Sequence, residues 1–217
     1  MYRRILSGIV AQGKTREFLD AMRVATDFQV ERGIRARTAV WGSMTGRNNF
    51  VLIAADFNTL EDLERWTDMA TEDARFAQVR RGVRQHMVYD DVKVSIHRLA
   101  YHSEGLMTSE EATAPRKFMR VLTGEVKPGQ HRDFVLSVSQ ALDYQKQRGI
   151  DATTSVWSAM TGHTSGVAIV AEFDSLAELE KFDEMAVTDA EFARLRAATR
   201  ASMVFLTTET HLMRRLM

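Results

Sequence analysis

The chain contains the same sequence twice. Pairing each residue n with residue n+116 aligns 2–99 with 118–215 without a gap, and 38 of the 98 pairs are identical. The agreement is densest over 32–46 and 148–162, where both copies share Arg-Gly-Ile, Val-Trp and Met-Thr-Gly. Two copies are too few for a solenoid, which needs roughly three repeats or more. The repeat therefore predicts two fused domains related by a pseudo-two-fold axis.

The repeat also predicts where the domains begin and end. Repeat 1 is expected over 1–99 and repeat 2 over 117–217. The segment 100–116 between them is rich in Ser, Thr, Glu and Ala, has no periodic apolar pattern and contains one of the two prolines. Such a composition is typical of a linker.

The composition is that of a globular protein, and it excludes several function classes. Of the 217 residues, 45% are hydrophobic and 27% are charged. Lys+Arg and Asp+Glu both total 29, so no net positive field attracts nucleic acid. The absence of cysteine excludes disulfides and thiolate chemistry. No apolar run has the length of a signal peptide or of a membrane span, so we expect a cytoplasmic protein with neither nucleic acid nor membrane as a partner.

Each repeat shows the element order β-α-β-β-α-β, with a short additional helix before the last strand. In repeat 1 the strands are expected over 4–11, 36–43, 50–57 and 87–96. Apolar stripes at three-to-four spacing predict the helices between them. This order is that of a ferredoxin-like unit, an α+β fold whose helices cover one face of an antiparallel sheet. The open face of each sheet needs a partner, and we expect the other repeat to supply it.

Two local signals mark the ends of the helices. Gly33 and Gly149 each follow an arginine and precede an isoleucine, which is the pattern of a left-handed glycine cap. The second helix is expected to begin with a capping box, Ser-Leu-Ala-Glu over 175–178, and with a weaker form of it, Thr-Leu-Glu-Asp over 59–62.

Several motifs of repeat 2 together resemble a known superfamily. They are Val-Lys-Pro-Gly at 126–129, Arg-Gly-Ile at 148–150, Trp157, Gly162, Phe-Asp-Ser-Leu-Ala-Glu at 173–178 and Asp-x-Glu-Phe at 189–192. The set is similar to NIPSNAP-type and antibiotic-biosynthesis-monooxygenase-type domains of the dimeric α+β barrel superfamily, and the likeness covers both repeats. It implies two tandem ferredoxin-like repeats that form an intramolecular dimeric α+β barrel around a shared lumen.

The resemblance implies a range of activities rather than one. The superfamily includes cofactor-free oxygenases, haem-handling enzymes, isomerases and members without an assigned role. The shared motifs are structural, since they form a turn, a helix cap, a capping box and aromatic core positions. They therefore specify the fold and leave the activity open.

Differences between the copies follow the two faces of the strands. In the third strand Val51, Ile53 and Ala55 are identical in both copies, and the same alternation of identical and differing positions holds in the first two strands. Alternate residues share one face of a sheet. We therefore expect the identical face to pack beneath each repeat's own helices. The differing face is expected to line the lumen, where one asymmetric ligand needs two different walls.

The predicted ligand-binding residues follow the parity of the differing face: Ser7, Arg37, Trp41, Thr123 and Trp157. Small residues there leave room for a ligand, and an indole ring offers it an aromatic surface. Each prediction has an alternative. The tryptophans are also typical of a packed core, where large aromatic side chains dominate, and Arg37 is either an anion-binding residue or the exposed start of a strand.

Tyr89, His97 and His211 in the last strands are the predicted catalytic residues, because imidazole is the usual general base near neutral pH. Neither histidine has a histidine at its repeat-related position, so only a single composite site is compatible with them. The alternative is a solvated strand histidine. The sequence has no spacing typical of metal ligands and no glycine-rich phosphate loop, so neither a metal nor a cofactor is expected. Haem, with His97 or His211 as axial ligand, is the alternative.

Three functions are open at this point. The first is a small-molecule enzyme of the α+β barrel type, a cofactor-independent oxygenase, isomerase or cyclase that acts on a hydrophobic or aromatic substrate in the lumen. The second is a non-catalytic protein that binds haem or another hydrophobic ligand. The third is a duplicated structural protein with a filled lumen, and the small residues of the differing face argue against it. A homodimer of the two-repeat chain is compatible with each of these functions.

Overall fold

The computed structural model describes residues 1–105 and 116–217, apart from the side chains of 89–91 and of Phe205. The predicted linker over 100–116 therefore lies mostly outside the described residues. The described part of the chain is mixed α+β, and the element order β-α-β-β-α-α-β occurs twice.

The described residues divide into two compact units. Unit 1 consists of Met1–His97 together with Arg215–Met217. Unit 2 consists of 98–105 and 116–214. Each unit thus contains most of one repeat and a short segment that follows the other repeat along the chain.

The elements of unit 1 follow the predicted order. They are β1 (Tyr2–Val10), α1 (Thr15–Glu31), β2 (Ala36–Ser43), β3 (Phe50–Phe57), α2 (Leu60–Glu72), α3 (Ala74–Arg84) and the first part of β4 (Met87–His102). The elements of unit 2 repeat this order. They are β5 (Phe118–Val126), α4 (His131–Gln147), β6 (Thr153–Ala159), β7 (Gly166–Phe173), α5 (Leu176–Thr188), α6 (Ala190–Ala201) and β8 (Met203–Arg215), of which Arg215 belongs to unit 1.

The strands of the two units are ordered alike. In unit 1 the order is β4-β1-β3-β2, and in unit 2 it is β8-β5-β7-β6. The central strand β3 pairs antiparallel with both neighbours, so that Ile53 lies opposite Leu6 on β1 and opposite Val40 on β2. The equivalent Ile169 lies opposite Leu122 and Val156 in unit 2. The predicted fold class, α+β with two tandem ferredoxin-like repeats of the α+β barrel type, is confirmed.

The identical face of each sheet packs beneath the helices of its own unit, as predicted. In unit 1 a buried cluster joins Val40, Val51 and Ile53 of the sheet to Phe18 and Met22 of α1. The equivalent cluster of unit 2 joins sheet residues to helix α4: Val126, Val156, Val167, Phe134, Val138. Burial of these side chains is the main favourable contribution to folding.

The helix ends agree with the prediction in one respect and correct it in another. Gly33 and Gly149 have φ values of 68° and 77°, the left-handed conformation that glycine adopts without a Cβ penalty. The complete capping box, however, is at 59–62, and the expected stronger one at 175–178 has only the hydrogen bond from the Glu178 N–H to the Ser175 hydroxyl.

The capping box at 175–178 is incomplete because the Glu178 carboxylate has other hydrogen-bond partners. The Glu178 carboxylate accepts hydrogen bonds from the Lys181 ammonium at 2.6 Å and from the Asp151 N–H at 3.3 Å. Asp62, with a shorter side chain and no such partner in the described structure, accepts a hydrogen bond from the Thr59 N–H at 3.3 Å.

Strand β4 extends past its predicted end at Ile96 to His102. Its last residues belong to unit 2, where the Ser103 N–H donates to the Thr154 carbonyl at 2.9 Å. The other short segment binds unit 1, where the Leu216 N–H donates to the Val40 carbonyl at 2.8 Å. Backbone hydrogen bonds of this kind satisfy strand edges that are otherwise exposed.

Candidate functional site

Unit 2 contains a cavity between its sheet and its helices. Its volume is about 430 Å³, within the usual range for small-molecule sites. Most of its surface is apolar, and the walls are formed by side chains from β5, β7, α4, α5, α6 and β8: Leu122, Ile169, Val138, Phe182, Phe192, Met203. The rings of Phe182 and Phe192 pack edge to face, with their centroids 5.7 Å apart. The cavity can therefore hold a hydrophobic or aromatic body.

Three guanidinium groups form the charged part of the cavity lining. Arg120 comes from β5, and Arg196 and Arg200 come from α6. The Arg120 Cζ atom lies 5.1 Å from the centroid of the Phe182 ring, and the Arg196 Cζ atom lies 5.8 Å from that of Phe192. Within the described residues no carboxylate forms a salt bridge with any of the three arginines, and no acceptor hydrogen-bonds to them.

The environment of Arg120 and Arg196 disfavours their charge. Burial is the main effect on the pKa of Arg120, and it lowers this pKa. The carboxylate of Asp183 acts in the opposite direction, and the positive charge of Arg200 lowers the pKa further. Burial also lowers the pKa of Arg196, and repulsion from Arg200 and Arg120 adds to this effect. Guanidinium groups stay protonated in proteins, so the cavity contains a positive charge without a paired anion.

An amide side chain and three threonines, Thr199, Thr208 and Thr210, complete the polar lining. Gln145 comes from α4, and only 2% of its surface is exposed. Its Oε1 atom is buried and accepts no hydrogen bond from any described residue. Most buried polar atoms have a partner, and leaving one without a partner is unfavourable by about 1–3 kcal/mol. An acceptor of this kind in a cavity wall suits a ligand that carries a hydrogen-bond donor.

Unit 1 has the same arginines and the same glutamine, and the Oε1 atom of Gln29 is, like that of Gln145, buried without a described partner. The arginines, however, have different contacts. Burial lowers the pKa of Arg4, the counterpart of Arg120, to about 10. Its Cζ atom lies 4.4 Å from the centroid of the Trp66 ring. Arg80, the counterpart of Arg196, donates a hydrogen bond to the Ala70 carbonyl at 2.8 Å. The guanidinium of Arg80 therefore has a hydrogen-bond acceptor within the protein, whereas that of Arg196 has none among the described residues.

The apolar side chains at equivalent positions also differ in size. Unit 1 has Met22 and Trp66 where unit 2 has Val138 and Phe182. Met22 belongs to the packed core of unit 1, and the Trp66 ring packs edge to face on its aromatic neighbours. Smaller side chains at the same backbone positions leave room beneath the helices of unit 2.

The ligand-binding residues predicted in unit 1 lie on the sheet face opposite the helices. Ser7 and Trp41 both pair with Leu52 of β3, and Trp41 is buried. The Arg37 Nη2 atom lies 3.6 Å from the Asp56 Oδ2 atom. Arg37 is only partly described by the alternative of an exposed strand start. Its side chain is 24% exposed, and it has an anionic neighbour within the protein.

His97 is the predicted catalytic residue with the most unusual environment. Its Nε2 atom lies 2.9 Å from the Ser95 hydroxyl oxygen, and its Nδ1 atom is buried without a described partner. Burial, together with a smaller contribution from the charge of Arg3, lowers the pKa of His97 to about 4. The imidazole is consequently neutral at physiological pH. Tyr89, the second predicted catalytic residue of this strand, has a side chain outside the described residues.

The predicted residues of unit 2 also lie on the sheet face away from the helices. Thr123 and Trp157 both pair with Ala168 of β7, and the Trp157 indole N–H donates to the Ser155 hydroxyl at 2.8 Å. His211 lies opposite Val121, and its Nε2 atom is 3.4 Å from a Glu209 carboxylate oxygen. These side chains therefore do not line the cavity, and their roles stay predictions.

The sequence contains a signal for the cavity residues, although they are not among the predicted site residues. Arg4 and Arg120 interrupt the apolar face that packs beneath the helices, and Gln29 and Gln145 interrupt the apolar stripes of α1 and α4. Charged and amide groups at core positions are unusual and often mark function.

The cavity does not fit haem. Histidine, cysteine and tyrosine are the usual protein ligands of haem iron, and methionine serves as a second ligand beside histidine. Among the described lining residues, Met203 is the only one of these types. Within the described chain no group of three His, Cys, Asp or Glu side chains is arranged to hold a metal ion. None of the described helices is both long and apolar enough to cross a membrane.

The sequence matches no protein-family model and no curated protein. Solved structures are similar to it over almost their whole length. An anthrone oxidase-like protein matches 100% of this chain and 91% of its own, with a TM-score of 0.69 and 10% identity. A candidate monooxygenase from Lactobacillus acidophilus matches 99% of this chain and 93% of its own, with a TM-score of 0.69 and 10% identity. A haem-binding protein from Thermus thermophilus matches 100% of this chain and 91% of its own, with a TM-score of 0.55 and 6% identity. At these identities the likeness shows the fold alone, so the chain has the α+β fold of these proteins.

Proposed function

We propose that the chain binds a hydrophobic or aromatic small molecule in the cavity of unit 2 and acts on it as a cofactor-independent oxygenase, isomerase or cyclase. The observation that carries the proposal is the cavity of about 430 Å³ between apolar walls with a few polar groups. Sites for small organic ligands have this composition. The fold shared with an anthrone oxidase-like protein makes oxygenation of an aromatic substrate the first reaction to test.

Such an oxygenation needs no bound cofactor when the substrate itself supplies the electrons. Anthrone shows the balance: with one molecule of oxygen it gives anthraquinone and water. One oxygen atom becomes the new carbonyl oxygen, and the other leaves as water with the two hydrogens of the methylene carbon. An apolar cavity favours this reaction because it excludes water from the reacting carbon and strengthens the effect of each polar group.

The experiment measures oxygen uptake and anthraquinone formation with anthrone, after subtraction of the rate without protein. The test variant carries Val138→Met and Phe182→Trp, which place the larger side chains of unit 1 in the cavity of unit 2. The matched control carries Trp66→Phe in unit 1. We expect the test variant to lose the protein-dependent rate and the control to keep it. Equal rates in both variants would contradict a reaction in this cavity.

A second function, binding without turnover, is favoured by one observation. No described residue that lines the cavity has a carboxylate or an imidazole, so no general base contacts a ligand there. The neutral fluorophore phenylnaphthylamine separates the two functions, because its emission rises in apolar surroundings. Binding of this probe without oxygen uptake would identify a carrier or sensor of hydrophobic molecules.

The remaining predictions from the sequence stay proposals of their own, independent of the cavity. They are the NIPSNAP-like or antibiotic-monooxygenase-like character, the origin of the repeats by tandem duplication, the cytoplasmic location and the homodimer. Alanine substitution of Tyr89, His97 or His211 tests their catalytic role in the same oxygen-uptake assay. A Soret shift that depends on His97 or His211 would support the haem alternative.

A further inference from the structure

This inference rests on the proposed function and names the class of its ligand. We propose that the cavity of unit 2 selects an aromatic oxyanion, whose charged oxygens are bound by Arg120 and Arg196 and whose hydrogen-bond donor contacts Gln145 Oε1. A carboxylate, a sulfonate and an ionised phenol share this chemistry.

The first observation is a charge without a counter-ion. The guanidinium groups of Arg120, Arg196 and Arg200 line one cavity, and within the described structure none of them forms a salt bridge or donates a hydrogen bond. Asp183, the carboxylate that acts on two of them, is exposed and forms no ion pair with either. A ligand oxyanion relieves the repulsion between the arginines and accepts hydrogen bonds from the planar guanidinium groups.

The second observation is independent of charge. Gln145 Oε1 is an acceptor in a side chain that is 2% exposed, and it has no partner among the described residues. A hydroxyl or amine hydrogen of the ligand supplies the missing donor. Acceptor and cations line the same cavity, so the ligand is expected to be polar at those points and apolar where it contacts Phe182 and Val138.

The repeat supplies a contrast within the same chain. Arg80 of unit 1 donates one hydrogen bond to the Ala70 carbonyl, and Met22 and Trp66 occupy the positions at which unit 2 has smaller side chains. The counterparts Val92 and Val94 are also apolar where unit 2 has Thr208 and Thr210. The cavity of unit 2 is therefore more open and more polar than the equivalent region of unit 1.

Two fluorescent probes of nearly the same shape test the proposal. Anilinonaphthalene sulfonate is an aromatic anion, and phenylnaphthylamine has the same aromatic body and N–H group without the sulfonate. We expect the wild-type chain to bind the sulfonate about ten-fold more tightly or better, since a hydrogen bond to a charged group contributes more than a neutral one. Arg120→Gln should remove this preference and leave binding of the neutral probe in place. The matched change Arg4→Gln in unit 1 should preserve the preference.

The acceptor is tested with the same pair of probes. Gln145→Leu should weaken both probes by a similar factor, because both carry the N–H group, and Gln29→Leu in unit 1 should weaken neither. Circular dichroism and urea unfolding verify that each variant is folded, and Arg196→Gln replaces Arg120→Gln if the latter does not fold.

The outcomes separate this inference from the proposed function. Equal affinity of the wild-type chain for both probes would overturn the anion inference while the cavity function stands. Loss of the preference in Arg4→Gln but not in Arg120→Gln would overturn it by placing the anion in unit 1. Binding of neither probe would overturn the proposed function and this inference together.

Discussion

Asp56 accepts two hydrogen bonds from Arg3, from Nε to Oδ1 at 2.6 Å and from Nη2 to Oδ2 at 2.9 Å. Only 9% of the Arg3 side chain and 3% of the Asp56 side chain are exposed. Removal of Arg3 takes away both of these hydrogen bonds and leaves Asp56 with Arg37 at 3.6 Å as its cationic neighbour, so the cost is expected to be about 2–4 kcal/mol, below that of a fully uncompensated buried charge. We expect Arg3→Met to lower the free energy of unfolding by about this amount, measured by urea denaturation.

The double variant is the control for this prediction. Unit 2 has Met119 at the position equivalent to Arg3, so an apolar residue is tolerated at this site of the fold. Arg3→Met combined with Asp56→Leu removes both charges and should be much closer to the wild type in stability than either single variant. If the single and double variants were equally destabilised, the pair would not be coupled and the prediction would be wrong.

The buried imidazole of His97 predicts that stability falls in acid. Its pKa is lowered from the ordinary 6.5 to about 4, chiefly by burial. As the pH falls between these values, the unfolded chain binds a proton that the folded chain does not bind. The stability associated with neutral His97 is therefore complete above the unfolded pKa and is lost as the pH falls toward the folded pKa. We expect His97 to account for about 1–2 kcal/mol of the loss between pH 7 and pH 5.

The measurement is the free energy of unfolding at both pH values for the wild type and for His97→Gln. The variant cannot bind the proton, so its loss between the two pH values should be smaller by the stated amount. His163 is exposed in the hairpin after β6, and His163→Gln is the control that should retain the wild-type loss. A variant of His97 with the full wild-type loss would show that this imidazole does not contribute.

The contact between Gly42 and Leu216 predicts a coupled pair of substitutions in unit 1. A Cβ atom at Gly42 would lie 2.9 Å from Leu216 Cδ1, so the leucine side chain must move to admit it. We expect Gly42→Ala to be unfavourable by about 1 kcal/mol, at the low end for overpacking, because the side chain is flexible. In a Leu216→Ala background the same change should have almost no effect. Urea unfolding of the four chains gives the coupling energy, and additive effects would argue against the contact.

The sequence predicted the fold because the relevant signals are local and periodic. Parity along the strands separated Val51 and Ile53, which pack beneath the helices, from their neighbours on the other face. Glycines at 33 and 149 adopt the positive φ that the motif requires. The prediction that the capping box at 175–178 is the stronger one was wrong. The contacts of Glu178 with Lys181 and Asp151 depend on how α5 packs, and the four-residue motif contains no information about that packing.

The cavity could not be predicted in the same way, because it depends on volume rather than on pattern. Both Phe182 and Trp66 fit an apolar helix stripe, and the difference between a filled and an open space is a matter of a few atoms. Identity between the copies does not indicate a role for Arg120, because the identical face of each sheet is the one expected to pack beneath the helices. The arginine occurs in both units, and its role depends on neighbours that differ in size.

Narrowing the cavity should raise stability and weaken binding together. Val138→Met and Phe182→Trp place side chains already accepted at the equivalent positions of unit 1 into a space of about 430 Å³. We expect the double variant without ligand to unfold with a free energy higher by about 0.5–2 kcal/mol, the usual gain from filling a cavity. Phenylnaphthylamine should bind to it more weakly, because the larger side chains narrow the cavity. A large loss of stability would instead indicate overpacking and a space already occupied by side chains. Because a site that binds ligands is kept open at the expense of packing, a gain in stability with weaker binding is the result expected of a functional cavity.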